Sequence, residues 1–212
     1  MSRVARIELH YLPSLEYFCV LSAFEEIQLE YYQHYIKQSF SNRCYINTSQ
    51  GVQLLVVPLR DKHGKVPLHD VKIDHQQKWQ NNHWRSIESA YANSPYFEFY
   101  EAELKKILYK DHELLNSLCF DLLSFCLRSL RLNIQLSKTV LFEKELEKSV
   151  FDIRQKIIPK KSYTDRTFYH SIPYRQVFGS EFVPNLSILD LLFCEGPHTT
   201  QILQSSNGRL NK

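Results

Sequence analysis

Between Arg6 and Tyr32 the chain changes its hydrophobic period twice, and no other stretch restricts its fold as strongly. Arg6 to Leu12 alternates apolar and polar side chains, the pattern of a strand. Pro13-Ser14 turns the chain. Leu15 to Phe24 then places Leu15, Phe18, Cys19 and Ser22 on one helical face. From Glu26 to Tyr32 the alternation returns, with Ile27, Leu29 and Tyr31 on one side. Strand, turn, helix and strand in so few residues make a compact crossover unit, and such units are parallel and right-handed.

The rest of the chain extends this start. Arg43 to Asn47 and Val52 to Leu59 read as two more strands, joined at Thr48-Ser49-Gln50-Gly51 by a hairpin turn. Val52 to Val57 is apolar enough to predict cover on both faces. Arg60 to Lys72 reads as a polar loop punctuated by Gly64 and Pro67. Lys78 to Tyr91 is helical, with Trp79, His83, Ile87 and Tyr91 on one face. Ser94 and Pro95 suit the start of the next helix, which turns Tyr96, Phe97, Tyr100, Leu104, Ile107 and Leu108 inward. Glu113 to Leu130 is a third helix, and Ile134-Gln135-Leu136 reads as a returning strand. Phe142 to Ile157 reads as a charged amphipathic helix with Leu146, Val150, Ile153 and Ile157 inward. Pro159 to Ser180 has little periodicity and reads as a long loop. Ser187 opens a last helix over Ile188–Glu195, which Gly196-Pro197 stops. The expected class is mixed α/β: a mostly parallel sheet from the N-terminal half packed by helices, with a helical C-terminal half. One domain over residues 1–203 and a polar flexible tail over 204–212 complete the expectation.

Composition narrows the function classes. A formal charge of +3, with no basic run beyond Pro159-Lys160-Lys161, argues against nucleic acid. Five glycines are too few for a glycine-cradled dinucleotide or phosphate loop to be expected, and no cofactor is signalled. Met1 to Arg6 leads into an alternating segment rather than an apolar block, and no window reaches the ~20 apolar residues of a membrane span. The five cysteines are odd in number and lack short paired spacings, so reduced thiols in the cytoplasm are expected. No His, Cys and carboxylate spacing predicts a metal site. Nothing in the sequence fixes the oligomeric state.

The groups fit for chemistry gather before and inside the third strand. His34, Lys37, Asn42 and Arg43 put an imidazole, two cations and an amide within ten residues. An arginine opening a strand can grip a carboxylate or phosphate through two parallel hydrogen bonds. Lys37 can add a point charge to the same anion, and Asn42 can donate to a carbonyl. A solvated surface loop is the competing reading. His10 and His34 fall near the carboxyl ends of the first two strands, where ligands of open α/β sheets sit. Either imidazole can act as a general base near neutral pH, against the plainer role of a packed histidine. His83 shares its helical face with Trp79 and Ile87, which suits a core histidine or a base reaching into a cleft. Cys44 follows Arg43, but neighbours on a strand point to opposite faces, which favours buried filler over a reactive thiolate. Asp190 stands three residues after Ser187, the reach of a reciprocal cap. The tyrosines offer a sugar or base platform, although a tyrosine-rich core explains most of them.

Several stretches together resemble the WbqC-like proteins. They are His10-Tyr11-Leu12-Pro13 with Glu16-Tyr17-Phe18, His34-Tyr35-Ile36-Lys37 with Phe40-Ser41-Asn42-Arg43, and Leu55-Val56-Val57-Pro58-Leu59. Trp79 with His83-Trp84-Arg85-Ser86-Ile87, Ala90-Tyr91 with Ser94-Pro95-Tyr96-Phe97, and the closing Phe182 to Gly196 complete the set. The blocks keep the family's order across most of residues 7–198. The resemblance implies a transferase in surface-polysaccharide precursor synthesis, acting by acyl or aminoacyl transfer to an amino-sugar nucleotide. The chain departs from many relatives at Leu9-His10, where they carry a glutamine-proline pair, and over Lys160 to Gly179. The catalytic candidates are therefore His34, His83 and Asp190. The substrate-binding candidates are His10, Tyr11, Lys37, Asn42, Arg43 and Trp79, around a small anionic substrate such as a sugar nucleotide or acyl donor. A nucleotide-binding or nucleotidyl-transferring α/β protein and a non-catalytic interaction protein are the alternatives.

Overall fold

The computed structural model describes residues 3–60 and 65–208. It is a mixed α/β fold around a four-stranded parallel sheet. Strand β1 (Val4–Glu8) leads through α1 (Leu15–Ser22) to β2 (Glu26–Glu30), which lies parallel beside it in the register Val4↔Glu26 to Glu8↔Glu30. The crossover unit expected from the first residues is present, with the first strand shifted to start two residues earlier and end four residues earlier, and the second ending two residues early. After Glu8 the chain leaves the sheet, and Leu12 turns it with φ 42°.

The antiparallel hairpin of β3 (Arg43–Thr48) and β4 (Gly51–Val56) follows, separate from the main sheet. Gly51 takes φ 93° at its turn, a backbone conformation that suits glycine. Three helices come next: α2 (Trp79–Tyr91), α3 (Phe97–Tyr109) and α4 (Leu115–Ser129). Ser94 does not cap α3; its hydroxyl bonds back to the Tyr91 carbonyl, and α3 starts after Tyr96.

The outer strands of the sheet come from the later half. β5 (Gln135–Lys138) pairs with β2, and β6 (Val150–Asp152) pairs with β1. The helix expected over Phe142 to Ile157 is not formed. Its central residues supply β6 instead, because β1 offers an unpaired edge: the Ile153 amide bonds the Arg6 carbonyl. Ile153 and Ile157 are buried as the helical reading required. A strand of three residues is too short to show a period, so the helical spacing of its flanks dominated. The chain closes with α5 (Ile188–Glu195) and α6 (Thr199–Ser205). Ser187 accepts from the Leu189 amide and caps α5, as expected. Residues 204 to 208 are not a loose tail. Gln204 and Ser205 finish α6, Ser206 is buried, and the Gly208 amide bonds the Phe168 carbonyl. Residues 209–212 of the expected tail, and Gly64 of the expected loop, lie outside the described residues.

The sheet is two-faced. Ala5, Ile7, Leu9, Ile27 and Leu29 line one side and are almost wholly buried. Arg6, Glu8, Gln28 and Glu30 alternate onto the other. Buried charge on that side is satisfied by the segment after β5. Thr139 donates to Glu30, Arg154 reaches Glu30 at 3.1 Å and Asp152 at 2.8 Å, and the Gln155 amide contacts both oxygens of Glu8.

Candidate functional site

The hairpin, residues 158–166 and residues 183–186 enclose a cleft of about 240 Å³. Each wall is placed by a local device. Phe40 opens a short 3-10 turn, Phe40–Asn42, capped by the Ser39 hydroxyl, and its carbonyl accepts the Tyr11 amide beyond β1. Tyr45 and Val52 enter from the hairpin. Ser162 caps the 3-10 turn Tyr163–Asp165 and so presents Lys161, Ser162 and Tyr163 together. Asn185 takes φ 54°, and its side-chain carbonyl accepts the Glu16 amide at the start of α1. The Ser187 amide bonds the Tyr45 carbonyl, which draws the 183–187 segment against β3.

The cleft is cationic. Lys161 and Arg166 line it, and no carboxylate does. Arg166 is matched by Glu16 in a bidentate pair at 2.5 and 2.6 Å, both side chains being buried. Lys161 has no ion-pair partner among the described residues. Arg43 opens β3 on the face that also carries Tyr45, and its Nε is enclosed without an acceptor. The first-turn amides of α1 are already occupied: Leu15 by the Leu186 carbonyl and Glu16 by Asn185. A phosphate cannot use that helix terminus without displacing them, and the Glu16 carboxylate beside it repels anions.

The nine residues singled out in the sequence fall into separate groups. Tyr11, His83 and Trp79 are brought together: the Tyr11 hydroxyl bonds His83 Nδ1 at 2.8 Å, and the His83 ring packs edge-on to Trp79. All three are buried. Burial pushes the His83 imidazole down to about 4, while a backbone hydrogen bond at Val56 pulls the other way. A neutral ring accepting from Tyr11 and donating to that carbonyl is a core histidine. Its pKa in the fold lies below the value near 6.5 of an unfolded chain, so its stabilising effect is complete above pH 6.5 and disappears as pH falls through 4. The expected difference is about 3 kcal/mol. Urea denaturation across this window should show a steep loss in the wild type and a flatter profile in His83→Gln.

Asn42 is buried, donates to the Val57 carbonyl at 2.8 Å and accepts from the Tyr35 hydroxyl at 3.0 Å, so it fixes the entry to β3. His10 is 1% exposed, packed between Tyr17 and Phe40, with Nε2 at 3.6 Å from Glu8. Its Nδ1 has no partner among the described residues. His34 and Lys37 are exposed on the loop leading to the hairpin, and no side-chain hydrogen bond or ion pair joins them to the other candidates. Asp190 is fully buried and accepts from Tyr91, Tyr174 and Gln176. It is the centre of a network rather than the reciprocal cap its spacing predicted. Cys44 is buried and burial pushes its thiol well up, which removes it as a nucleophile.

Lys161, Tyr163, Arg166 and Asn185 were not among the sequence candidates. Lys161 stands in the Pro159-Lys160-Lys161 run, and Asn185 in the closing block, so both left a signal. Arg166 left none: its partner Glu16 is 150 residues away. Among the described residues no helix is long and apolar enough to cross a membrane, and no three His, Cys, Asp or Glu side chains are placed to hold a metal ion.

Comparison with known proteins agrees with the sequence blocks. The model of the WbqC-like protein family matches residues 9–167 and 160–202. A protein of Mycobacterium tuberculosis (strain ATCC 25618 / H37Rv), "Uncharacterized protein Rv1507c", is 26% identical over 235 residues, covering 96% of this chain and 98% of the relative. No solved structure matches the chain.

Proposed function

The chain belongs to the WbqC-like protein family, and from that premise we propose that it is a transferase for an anionic carbohydrate precursor. The reaction is acyl or aminoacyl transfer to an amino-sugar nucleotide, a cytoplasmic step toward a surface polysaccharide. The family resemblance supports the transfer chemistry. One structural observation supports the anionic ligand: two of the blocks that carry the resemblance, around Phe40–Arg43 and Val183–Leu186, border one cleft that holds cations and no carboxylate.

The volume limits what enters. Pockets for drug-sized ligands run from roughly 300 to 1,000 Å³, so about 240 Å³ holds one charged group and little else. The carboxylate or phosphate sits there, facing Lys161, with Tyr163, Ser162 and Asn185 as neutral donors. Arg43, two residues before Tyr45 on the same face of β3, gives the second charge. His34 on the exposed loop is the base for the attacking amine; His83 is unsuited because it is buried and already bonded.

The test joins turnover to binding. Amino-sugar nucleotides are incubated with activated acyl donors, and inorganic phosphate and acetate are titrated calorimetrically. Lys161→Ala and Arg43→Ala are each expected to weaken anion binding about tenfold, the loss of one charge-assisted contact. Failure of both anions to bind, together with no turnover across the donor panel, overturns the reading.

A further inference from the structure

The segment Val52 to Val57 was expected to be covered on both faces, and it is not. Val52, Leu54 and Val56 are 52%, 41% and 37% exposed, and they stand in one row on β4. Gln53 and Leu55 alternate to the inner side, where Gln53 bonds Ser86 of α2 and Leu55 is buried. The register sets Leu54 opposite Tyr45 and Val56 opposite Arg43, so the apolar row and the arginine share one open face. Val52 and Tyr45 belong to both surfaces: they edge the cationic cleft and they begin the row.

Scattered surface aliphatics need no explanation, but an uninterrupted row joined to a charged cleft does. We infer that the Val52–Leu54–Val56 row is the binding track for the hydrocarbon chain of an acyl donor whose anionic end occupies the cleft. This rests on the transferase reading and names its donor: an acyl group with an apolar chain, not a formyl, acetyl or glycyl unit. Charge and polarity match along the track. The anionic end meets Lys161, and the chain crosses Tyr45 and Val52 onto Leu54 and Val56. The four residue steps from Val52 to Val56 measure about 14 Å, the length of roughly ten methylenes.

The experiment uses the full chain and a series of straight-chain carboxylates from acetate to dodecanoate, kept below their aggregation thresholds. Binding is followed by calorimetry. A fully buried methylene improves binding about three- to fourfold; a track covering one side of the chain is expected to give roughly twofold per methylene, levelling off near ten. A double variant, L54S/V56S, leaves the cleft-lining Val52 in place, changes only exposed positions and is expected to fold. In it acetate should bind as in the wild type, while the dependence on chain length flattens. Lys161→Ala should weaken every member of the series by one common factor.

The outcomes separate. Binding of acetate with no gain along the series overturns the track and leaves the anion cleft standing. Binding of none of the carboxylates overturns both. A chain-length gain that survives intact in the double variant places the hydrocarbon elsewhere and overturns the track. Sedimentation of the wild type covers the remaining occupant: a dimer that the double variant abolishes would assign the row to a second copy of the chain, against the inference.

Discussion

Replacing Arg166 with alanine is expected to cost about 3–5 kcal/mol of stability, the range for breaking a buried ion pair from one side. Glu16 is fully buried in the first turn of α1, and the guanidinium meets both of its oxygens. Asn185 adds one amide donor at 3.3 Å. Without Arg166 the carboxylate keeps that single donor and no countercharge. The double variant Glu16→Met with Arg166→Met should recover most of the loss, because an apolar pair of similar size avoids the desolvation that the ions suffer. Urea denaturation of the wild type, both single variants and the double variant gives the coupling directly. Arg166 also lines the cleft and donates to the Lys161 carbonyl, so folded Arg166→Ala should bind acetate less well than the wild type. A loss below about 1 kcal/mol, the usual size for a solvated pair, would mean that Glu16 and Arg166 do not clamp the 158–166 segment to α1.

What could be read in the sequence follows from how local each interaction is. β1, α1 and β2 were legible because their apolar residues repeat with the period of the element they form. The cap at Ser187 was legible for the same reason: its side chain and the Leu189 amide are two residues apart. β6 was hidden because its identity is set by the free edge of β1, which no local pattern encodes. The open face of β4 was hidden differently. A run such as Val52-Gln53-Leu54-Leu55-Val56-Val57 looks alike whether one face or both are covered. The candidate site divides in the same way. Asn42 and Arg43 could be placed at the head of a strand, but the cleft that joins Phe40 and Tyr45 to Lys161 and Tyr163 could not be foreseen, because the last two come from a stretch without periodicity. The spacing of His83 suits core and chemistry alike; the Tyr11 hydroxyl on its ring, 72 residues away, decides for the core.

Asp190→Ala is expected to be the other severe substitution, at about 3–5 kcal/mol. One carboxylate serves three buried or half-buried donors: Tyr91 at 2.9 Å, Tyr174 at 2.6 Å and Gln176 at 2.8 Å. Each donor left without an acceptor costs about 1–3 kcal/mol. The loss would spread, because Tyr91 also accepts the Asn47 amide of β3 and Gln176 also holds Val183. Asp190→Asn should cost less: an oxygen at the Oδ2 position keeps Tyr174 and Gln176, and only Tyr91 faces the NH₂. The two variants also differ from the wild type in pH response. Burial raises the Asp190 carboxyl above 3.8, against the three hydrogen bonds that lower it. Its folded pKa then exceeds the unfolded one, so its stabilising contribution is complete below pH 3.8 and is lost as pH rises through the folded value. The stability gap between the wild type and Asp190→Asn should therefore narrow on that rise, since asparagine does not titrate. Tyr91→Phe, which removes one donor and spares the carboxylate, is expected to cost only about 1–2 kcal/mol. Were Asp190→Ala to unfold at the wild-type urea concentration, the three donors would not depend on the carboxylate, and Asp190 would be free to orient a catalytic base.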